Sequence, residues 1–212
     1  MYLPVGVSAH IPFQQTFDAL NLIGAQGINV SMPFKRAALD VVRNFPAEDN
    51  INTMVRHGPE NWYGHNTDAY GFQKCLESLP PVRSVFILGR GAVAHSVMET
   101  LNKKGITDYT AGTNKSEKHH DLFVNATPLG MDGFPTDTPW DRLTANSKYV
   151  IDAVVHHESR LIKYAREQKK PCVPGYIMCM HQLAQQFHHH YPHHEDVLHL
   201  VKEEMKEMKY DL

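Results

Sequence analysis

The 212-residue sequence lacks the features that mark several large classes of protein. Its 3 cysteines, Cys75, Cys172 and Cys179, show no CxxC spacing, which argues against a disulfide framework and favours a reducing compartment. No apolar run approaches the roughly 18 residues of a membrane-spanning helix, and the opening residues have no basic start typical of a signal peptide. The formal net charge of −2 offers no basic surface for nucleic acid or anionic membrane. We therefore expect a cytoplasmic protein with no nucleic-acid or membrane partner.

Histidine, by contrast, is abundant, with 15 residues and a dense group between His188 and His199. A transition metal binds such a group adventitiously, but the group has no fixed ligand spacing of the kind that marks zinc sites. We interpret it as a solvated, pH-titrating helix end and predict no metal.

Short apolar, β-branched runs alternate with helical patterns along the chain, which predicts an α/β protein. Early in the chain, Pro33 is placed well for the first turn of a helix, with Lys35 in that turn. Later, an apolar strand at 85–88 leads directly into a glycine turn and a helix that extends to about Lys104. A second strand follows at 109–112, and further parallel strands are expected at 122–124, 149–151 and 171–173.

The glycine turn, Gly89-Arg90-Gly91-Ala92-Val93-Ala94, favours a dinucleotide-binding unit because it joins a buried strand to a helix. Gly89 would make the tight turn, Gly91 would let backbone amides approach a diphosphate, and Ala94 is small enough for close helix–sheet packing. A glycine turn in an unrelated α/β protein remains the alternative.

The second strand end favours NADP over NAD. NAD sites usually place a carboxylate there for the ribose 2′-hydroxyl, whereas this strand is followed by Asn114, Lys115 and Ser116. Lys115 would neutralise a 2′-phosphate, and its two neighbours would add hydrogen bonds. A solvated polar loop is the competing interpretation.

Six segments occur in a fixed order: Asn29–Lys35, Asn52-Thr53, Asn66-Thr67-Asp68, the glycine turn, Asn125–Met131 and Gly175 with Gln182. This order resembles the shikimate dehydrogenase family, including its shikimate/quinate dehydrogenase-like relatives, over most of residues 2–190. The resemblance implies NADPH-dependent, reversible reduction of 3-dehydroshikimate to shikimate, in the chorismate and aromatic amino acid pathway. It also implies a monomer or homodimer.

The resemblance assigns roles to individual residues. Lys35 and Asp68 match the catalytic pair, and Ser31, Asn52 and Gln182 match positions that hold the substrate. The positions that match the cofactor site are Gly89, Gly91, Ala92, Asn114, Lys115, Ser116, Thr127, Met131 and Gly175.

The catalytic pair makes chemical sense, because hydride transfer to a ketone develops negative charge on its oxygen. A lysine is protonated at neutral pH, so Lys35 suits the reductive direction as an acid, with Asp68 as its orienting partner. In the oxidative direction, either the lysine must lose its proton or Asp68 must share it. The alternatives are a surface helix lysine for Lys35 and a helix N-cap for Asp68.

The resemblance also implies two domains, an α/β substrate domain and a Rossmann-type, doubly wound NADP domain. We assign residues 1–67 to the substrate domain, 68–179 to the NADP domain, and 180–212 to C-terminal helices that return to the substrate domain.

Three departures from the family pattern limit the prediction. The serine-bearing segment expected before Tyr2 is absent, and only Asn114 to Asp121 separate two strands expected to be parallel neighbours. A parallel crossover needs about a dozen residues, so we expect omitted segments before Tyr2 and after Ser116. Residues 152–159 also replace a family tyrosine and proline. The alternatives are therefore a relative acting on another hydroxy acid such as quinate, with NAD, or a non-catalytic metabolite sensor.

Overall fold

The computed structural model describes residues 3–43, 49–113, 118–131, 133–134, 138–155, 158–195, 197–208 and 210. These residues form two β-sheets with helices around them, which confirms the predicted α/β fold. In this part of the chain, no helix combines the length and the apolar character needed to cross a membrane.

The first sheet is antiparallel and has the strand order β1-β2-β3. Its strands are β1 (Gly27–Asn29), β2 (Thr53–Arg56) and β3 (Trp62–His65), and helix α1 (Phe13–Leu22) packs on it. Aromatic residues of α1 recur on one face, so they bury together: the Phe17 ring meets Trp62 edge-on at 5.5 Å. This small core supports the segment that carries Lys35.

The helix predicted to begin at Pro33 is wrong in type and position. The segment turns from Ser31 to Arg36 and then forms a short 3-10 helix over Ala37–Val41. An α-helix would need the Leu39 N–H to donate to the Lys35 carbonyl, but it donates to Arg36 instead. The Lys35 carbonyl accepts from Ile51 N at 3.0 Å. Lys35 is therefore held by Ile51, in the irregular segment that leads into β2, and the 3-10 helix begins only at Ala37.

The second sheet is parallel and has the order β5-β4-β6-β7-β8. Its strands are β4 (Ser84–Leu88), β5 (Asp108–Gly112), β6 (His120–Asn125), β7 (Ser147–Asp152) and β8 (Cys172–Val173). Alternate residues of β4 face opposite layers: Ile87 packs in the cluster that contains Leu101 of α3 (Ala92–Lys103), and Phe86 in the one that contains Leu161 of α5 (Arg160–Glu167). A short helix, α4 (Trp140–Thr144), which the sequence patterns did not predict, joins the second layer.

The expected pairing of the strands at 109–112 and 122–124 is wrong. β5 and β6 do not pair with each other; each pairs with β4, on opposite sides. β4 is apolar from Val85 to Leu88, which suits an interior strand that is paired on both sides and buried. The short connection from Gly112 to His120 therefore spans β4, and residues 114–117 within it lie outside the described residues.

Two helices lie between the two sheets, α2 (Thr67–Glu77) and α6 (Gly175–His190), and α7 (Leu198–Glu207) packs on α6. α6 begins earlier and ends later than the predicted 178–187. It approaches α2 closely at Gly71, where a Cβ atom would lie 2.5 Å from the Met178 carbonyl oxygen. The division at residues 67 and 180 stays a prediction.

Candidate functional site

The two residues assigned as a catalytic pair are in direct contact. Lys35 Nζ donates to Asp68 Oδ2 at 2.5 Å, and the two side chains are 14% and 7% exposed. Lys35 comes from the turn after β1 and Asp68 from the first turn of α2. Charge-assisted hydrogen bonds of this kind are the strong ones in proteins, and burial shields this one from solvent screening.

Asn52 completes the surroundings of Asp68. Its Nδ2 donates to Asp68 Oδ1 at 2.9 Å, so both carboxylate oxygens have donors. Its Oδ1 accepts from Thr53 Oγ1, Thr67 N and Thr67 Oγ1, each at 3.0 Å. We call Lys35, Asn52, Thr53, Thr67 and Asp68 the catalytic network, after the role that the sequence predicts for Lys35 and Asp68.

Asn66 begins α2 and reaches the second sheet. It is the N-cap of the helix: its Oδ1 accepts from Asp68 N at 3.1 Å, whereas its Nδ2 donates to Ser96 Oγ of α3 at 2.9 Å. The alternative in which Asp68 is the cap is therefore wrong. Asp68 lies in the first turn, where the helix dipole also favours an anion.

The glycine turn has the geometry that a diphosphate needs. Gly89 has φ +122°, and a Cβ there would lie 2.8 Å from the Ala126 carbonyl oxygen. Gly91 faces open space and is the N-cap of α3, where no side chain caps the helix. Free backbone amides at the start of a 12-residue helix thus face an open approach, which fits an anionic cofactor.

The catalytic network and the glycine turn are neighbours. Asn50 Nδ2 donates to the carbonyl of Ala92, the first residue of α3, at 3.4 Å. Asn50 is buried, and its Oδ1 has no hydrogen-bond partner among the described residues. Only Ile51 separates this contact from Asn52.

The Asn125–Met131 loop lies beside the same turn, since Ala126 N donates to the Leu88 carbonyl at 2.8 Å. Asn125 organises the loop: its Oδ1 accepts from Thr127 N and Oγ1, and its Nδ2 donates to Leu129 O and Asp152 Oδ1. Met131, at the end of the loop, is 39% exposed. Gly175 opens α6, where a Cβ would lie 2.3 Å from the Val154 carbonyl oxygen.

The remaining predicted substrate residues are less closely gathered. Gln182 lies on the face of α6 that packs on α2 at Gly71. Ser31 is exposed and lines a cavity of about 490 Å³ between residues 3–7, α1 and β1. Most of the side chains around that cavity are apolar, and Thr16, Asn29 and Ser31 add polar groups to its lining. Asn114, Lys115 and Ser116 lie outside the described residues.

Sequence reasoning assigned no role to Asn50, Thr53, Thr67 or Gln186, all of which are buried. Gln186 Oε1 accepts from Asn29 Nδ2 at 2.8 Å, and its Nε2 reaches the Asn52 carbonyl at 3.4 Å. Its spacing of four residues from Gln182 was a signal, because the two share one helix face. Thr53 and Thr67 lie within two of the six ordered segments, next to residues that were assigned a role, whereas Asn50 lies outside those segments.

The interpretation of the histidine group as a solvated helix end is wrong for two members. The His189 ring stacks on His65 at 3.8 Å, and His190 Nε2 lies 2.8 Å from Asn29 Oδ1. Burial, followed by the nearby His65, lowers the pKa of His189 to about 4 and also lowers that of His190. Burial likewise lowers the pKa of His65. We call His65, His189, His190 and Asn29 the histidine contact.

In comparisons with known proteins, no family model matches the chain. A curated protein of Streptococcus pneumoniae strain JJA, named shikimate dehydrogenase (NADP(+)), is 29% identical over 201 residues, which cover 76% of this chain and 70% of the relative. Among solved structures, shikimate dehydrogenase 1 from Peptoclostridium difficile superposes with a TM-score of 0.82 at 20% identity, over 96% of this chain and 86% of that one. Quinate dehydrogenase from Corynebacterium glutamicum, in complex with NAD, gives 0.75 at 23% identity, over 93% and 84%.

Proposed function

From a relationship to the shikimate dehydrogenase family that sequence relatives and fold both support, we propose that this chain is an NADP-dependent oxidoreductase. Its reaction would interconvert 3-dehydroshikimate and shikimate. The observation that carries the proposal is the buried contact of Lys35 with Asp68, beside the uncapped start of α3.

In the reductive direction, bound NADPH supplies the hydride that adds to the carbonyl carbon. Lys35 Nζ gives its proton to the carbonyl oxygen, which becomes the hydroxyl, and the lysine regains a proton from solvent. Asp68 aims the ammonium and stabilises its charge, and Asn52 holds Asp68 in place. The oxidative direction runs through the same atoms in reverse.

Two features support the cofactor assignment. Backbone amides of α3, Gly91 and Ala92 would hold the diphosphate, and the Met131 loop would border the nicotinamide. The curated relatives carry NADP(+) in their name, and one solved shikimate dehydrogenase with this fold is in complex with NADP+. Asn114, Lys115 and Ser116 would hold the 2′-phosphate.

The test is an assay of purified protein for shikimate-dependent NADPH formation. We expect turnover in the wild type and a loss of about 10²-fold or more in kcat for Lys35→Ala, since a proton donor contributes about 10²–10⁴. Lys163→Ala, an exposed lysine of α5, is the matched control and should retain wild-type kcat. Turnover that persists in Lys35→Ala would remove the proposed proton donor.

Cofactor choice is tested separately, with NADPH and NADH compared in Lys115→Ala. The proposal expects KM for NADPH to rise about tenfold or more with KM for NADH unchanged. An equal KM for both cofactors in the wild type would overturn NADP preference.

A second candidate is a quinate-type dehydrogenase that uses NAD. The solved quinate dehydrogenase with this fold is in complex with NAD. In this sequence, Val155 or His156 would stand near the place of the family tyrosine, so a substrate-side hydroxyl would be lost there. A panel of cyclic hydroxy acids with both cofactors separates the two candidates by kcat/KM. Binding of these acids without turnover would support the metabolite-sensor alternative.

The division into domains at residues 67 and 180, the monomer or homodimer state and the cytoplasmic location stand with this proposal as predictions.

A further inference from the structure

Thr67 makes two hydrogen bonds to the Asn52 side chain. It is the first residue of α2, only 1% exposed, and lies between the cap Asn66 and Asp68. Its backbone N–H and its hydroxyl both donate to Asn52 Oδ1, each at 3.0 Å. One side chain and one amide of the same residue thus converge on a single oxygen.

These contacts fix which end of the Asn52 amide faces Asp68. The oxygen and nitrogen of an amide have nearly the same shape, so a flip of the group exchanges an acceptor for a donor. Three donors on Oδ1, two of them from Thr67, hold the oxygen away from the carboxylate. The nitrogen is therefore directed to Asp68 Oδ1, at 2.9 Å.

The flipped amide would bring two acceptors together in a buried site. Asn52 is 2% exposed and Asp68 5%, so water has little access to bridge the two oxygens. Asp68 would lose a donor and its side chain would be free to turn, and the ammonium of Lys35 would lose its fixed direction.

We propose that Thr67 is a positioning residue for the reaction proposed above: its hydroxyl locks the Asn52 amide, and through Asn52 it fixes Asp68 and Lys35. The inference rests on the proposed function for its kinetic consequence but not for its geometry. The ionisable groups that face Asp68 are Lys35, from the turn after β1, and Cys179, from α6. Thr67 itself carries no charge and acts only through hydrogen bonds.

The decisive variant is Thr67→Val, which keeps the shape of the side chain and removes the hydroxyl. We expect about a tenfold loss of kcat, a smaller change in KM, and an acid limb of kcat/KM that moves to higher pH. Thr67→Ser keeps the hydroxyl and should remain within about twofold of wild type at every pH.

Thr100→Val is the matched control for removing a buried threonine hydroxyl. Thr100 Oγ1 contacts the Ala69 and Ser96 carbonyl oxygens in the α2–α3 interface and not Asn52. It should share any loss of stability but leave the pH profile of kcat/KM unchanged. A Thr67→Val profile that matches that of Thr100→Val, or a Thr67→Ser profile as defective as Thr67→Val, would overturn the proposal.

A second readout needs no turnover. The side-chain amide signals of Asn52 in a ¹⁵N–¹H NMR spectrum should shift in Thr67→Val and stay near their wild-type positions in Thr67→Ser and Thr100→Val. Signals that do not move in Thr67→Val overturn the positioning role whatever the kinetics. If they move but the wild type oxidises no hydroxy acid, the proposed function fails while the amide lock stands.

Discussion

The catalytic network and the histidine contact lie next to each other on the first sheet, yet they treat charge in opposite ways. Lys35 and Asp68 remain together in a buried place because each supplies the opposite charge at 2.5 Å. Burial and, to a smaller extent, the neighbouring histidines lower the pKa of His189 to about 4. The His189 ring is therefore neutral at pH 7. Ionisable groups that are buried near the same sheet can thus be stabilised in two ways, by pairing with an opposite charge or by losing their own charge.

The largest expected effect comes from breaking the Lys35–Asp68 ion pair. Asp68→Asn leaves the Lys35 ammonium without its counter-charge, and we expect the free energy of unfolding to fall by about 3 kcal/mol. Urea unfolding at pH 7 measures it. The control is Asp108→Asn, because Asp108 pairs with Lys118 on the surface and should cost less than about 1 kcal/mol. Equal losses in the two variants would mean that burial adds nothing to the Lys35–Asp68 pair.

The second effect concerns His189, which is neutral in the folded protein, and it makes the free energy of unfolding depend on pH. The unfolded chain takes up a proton at His189 near pH 6.5, whereas the folded protein takes up this proton only near pH 4. Stability is therefore complete above pH 6.5 and is lost as the pH falls towards 4. After allowance for partial solvent exposure, we expect a loss of about 2 kcal/mol from this residue.

His189→Phe keeps a ring against His65 and removes the titration, so its unfolding free energy should fall less between pH 7 and pH 4.5. His10→Phe, at an exposed position, should follow the wild-type pH dependence. Parallel curves for all three proteins would show that the histidine contact does not govern acid stability.

The third effect tests the link between the two groups. Gln186 contacts Asn29 of the histidine contact and the Asn52 carbonyl of the catalytic network. Gln186→Leu removes both hydrogen bonds from a buried position and should cost about 1–2 kcal/mol in urea unfolding. Gln15→Leu on the exposed face of α1 should change stability by less than about 0.5 kcal/mol. A Gln186→Leu protein as stable as wild type would separate the two groups energetically.

The smallest effect uses a thiol as a reporter of the Asp68 charge. Burial, followed by the negative charge of Asp68, raises the pKa of the Cys179 thiol. Asp68→Asn removes the charge, so alkylation of Cys179 by iodoacetamide should quicken about twofold, as read by peptide mass spectrometry. Cys172, whose pKa is raised by burial and not by Asp68, is the internal control. An unchanged Cys179 rate in this variant would contradict the placement of the charge.

The sequence predicted those parts of the molecule that depend on local patterns. The apolar run at 85–88 followed by Gly89 and Gly91 was sufficient for a strand, a tight turn and a helix, because each rests on short-range geometry. The motif order predicted that Lys35 and Asp68 act together, and the structure brings them into contact, although their roles remain predictions.

Other features were not accessible because long-range contacts decide them. The Lys35 carbonyl accepts from Ile51 rather than from Leu39, so the segment after Pro33 continues as a turn and a 3-10 helix despite a sequence suited to an α-helix. β4 pairs on both sides, which a linear pattern does not reveal. The orientation of the Asn52 amide depends on Thr67, 15 residues further on, and no single-segment motif encodes that contact.

The position of α2 gives the Lys35–Asp68 contact a mechanical meaning. Asp68 belongs to α2, which packs against α3 and α6, whereas Lys35 and Asn52 belong to the segments around the first sheet. Any movement of α2 away from the first sheet would separate the Asp68 carboxylate from the Lys35 ammonium and from the Asn52 amide. Both contacts therefore resist such a movement, and the pair fastens α2 to the first sheet as well as balancing charge.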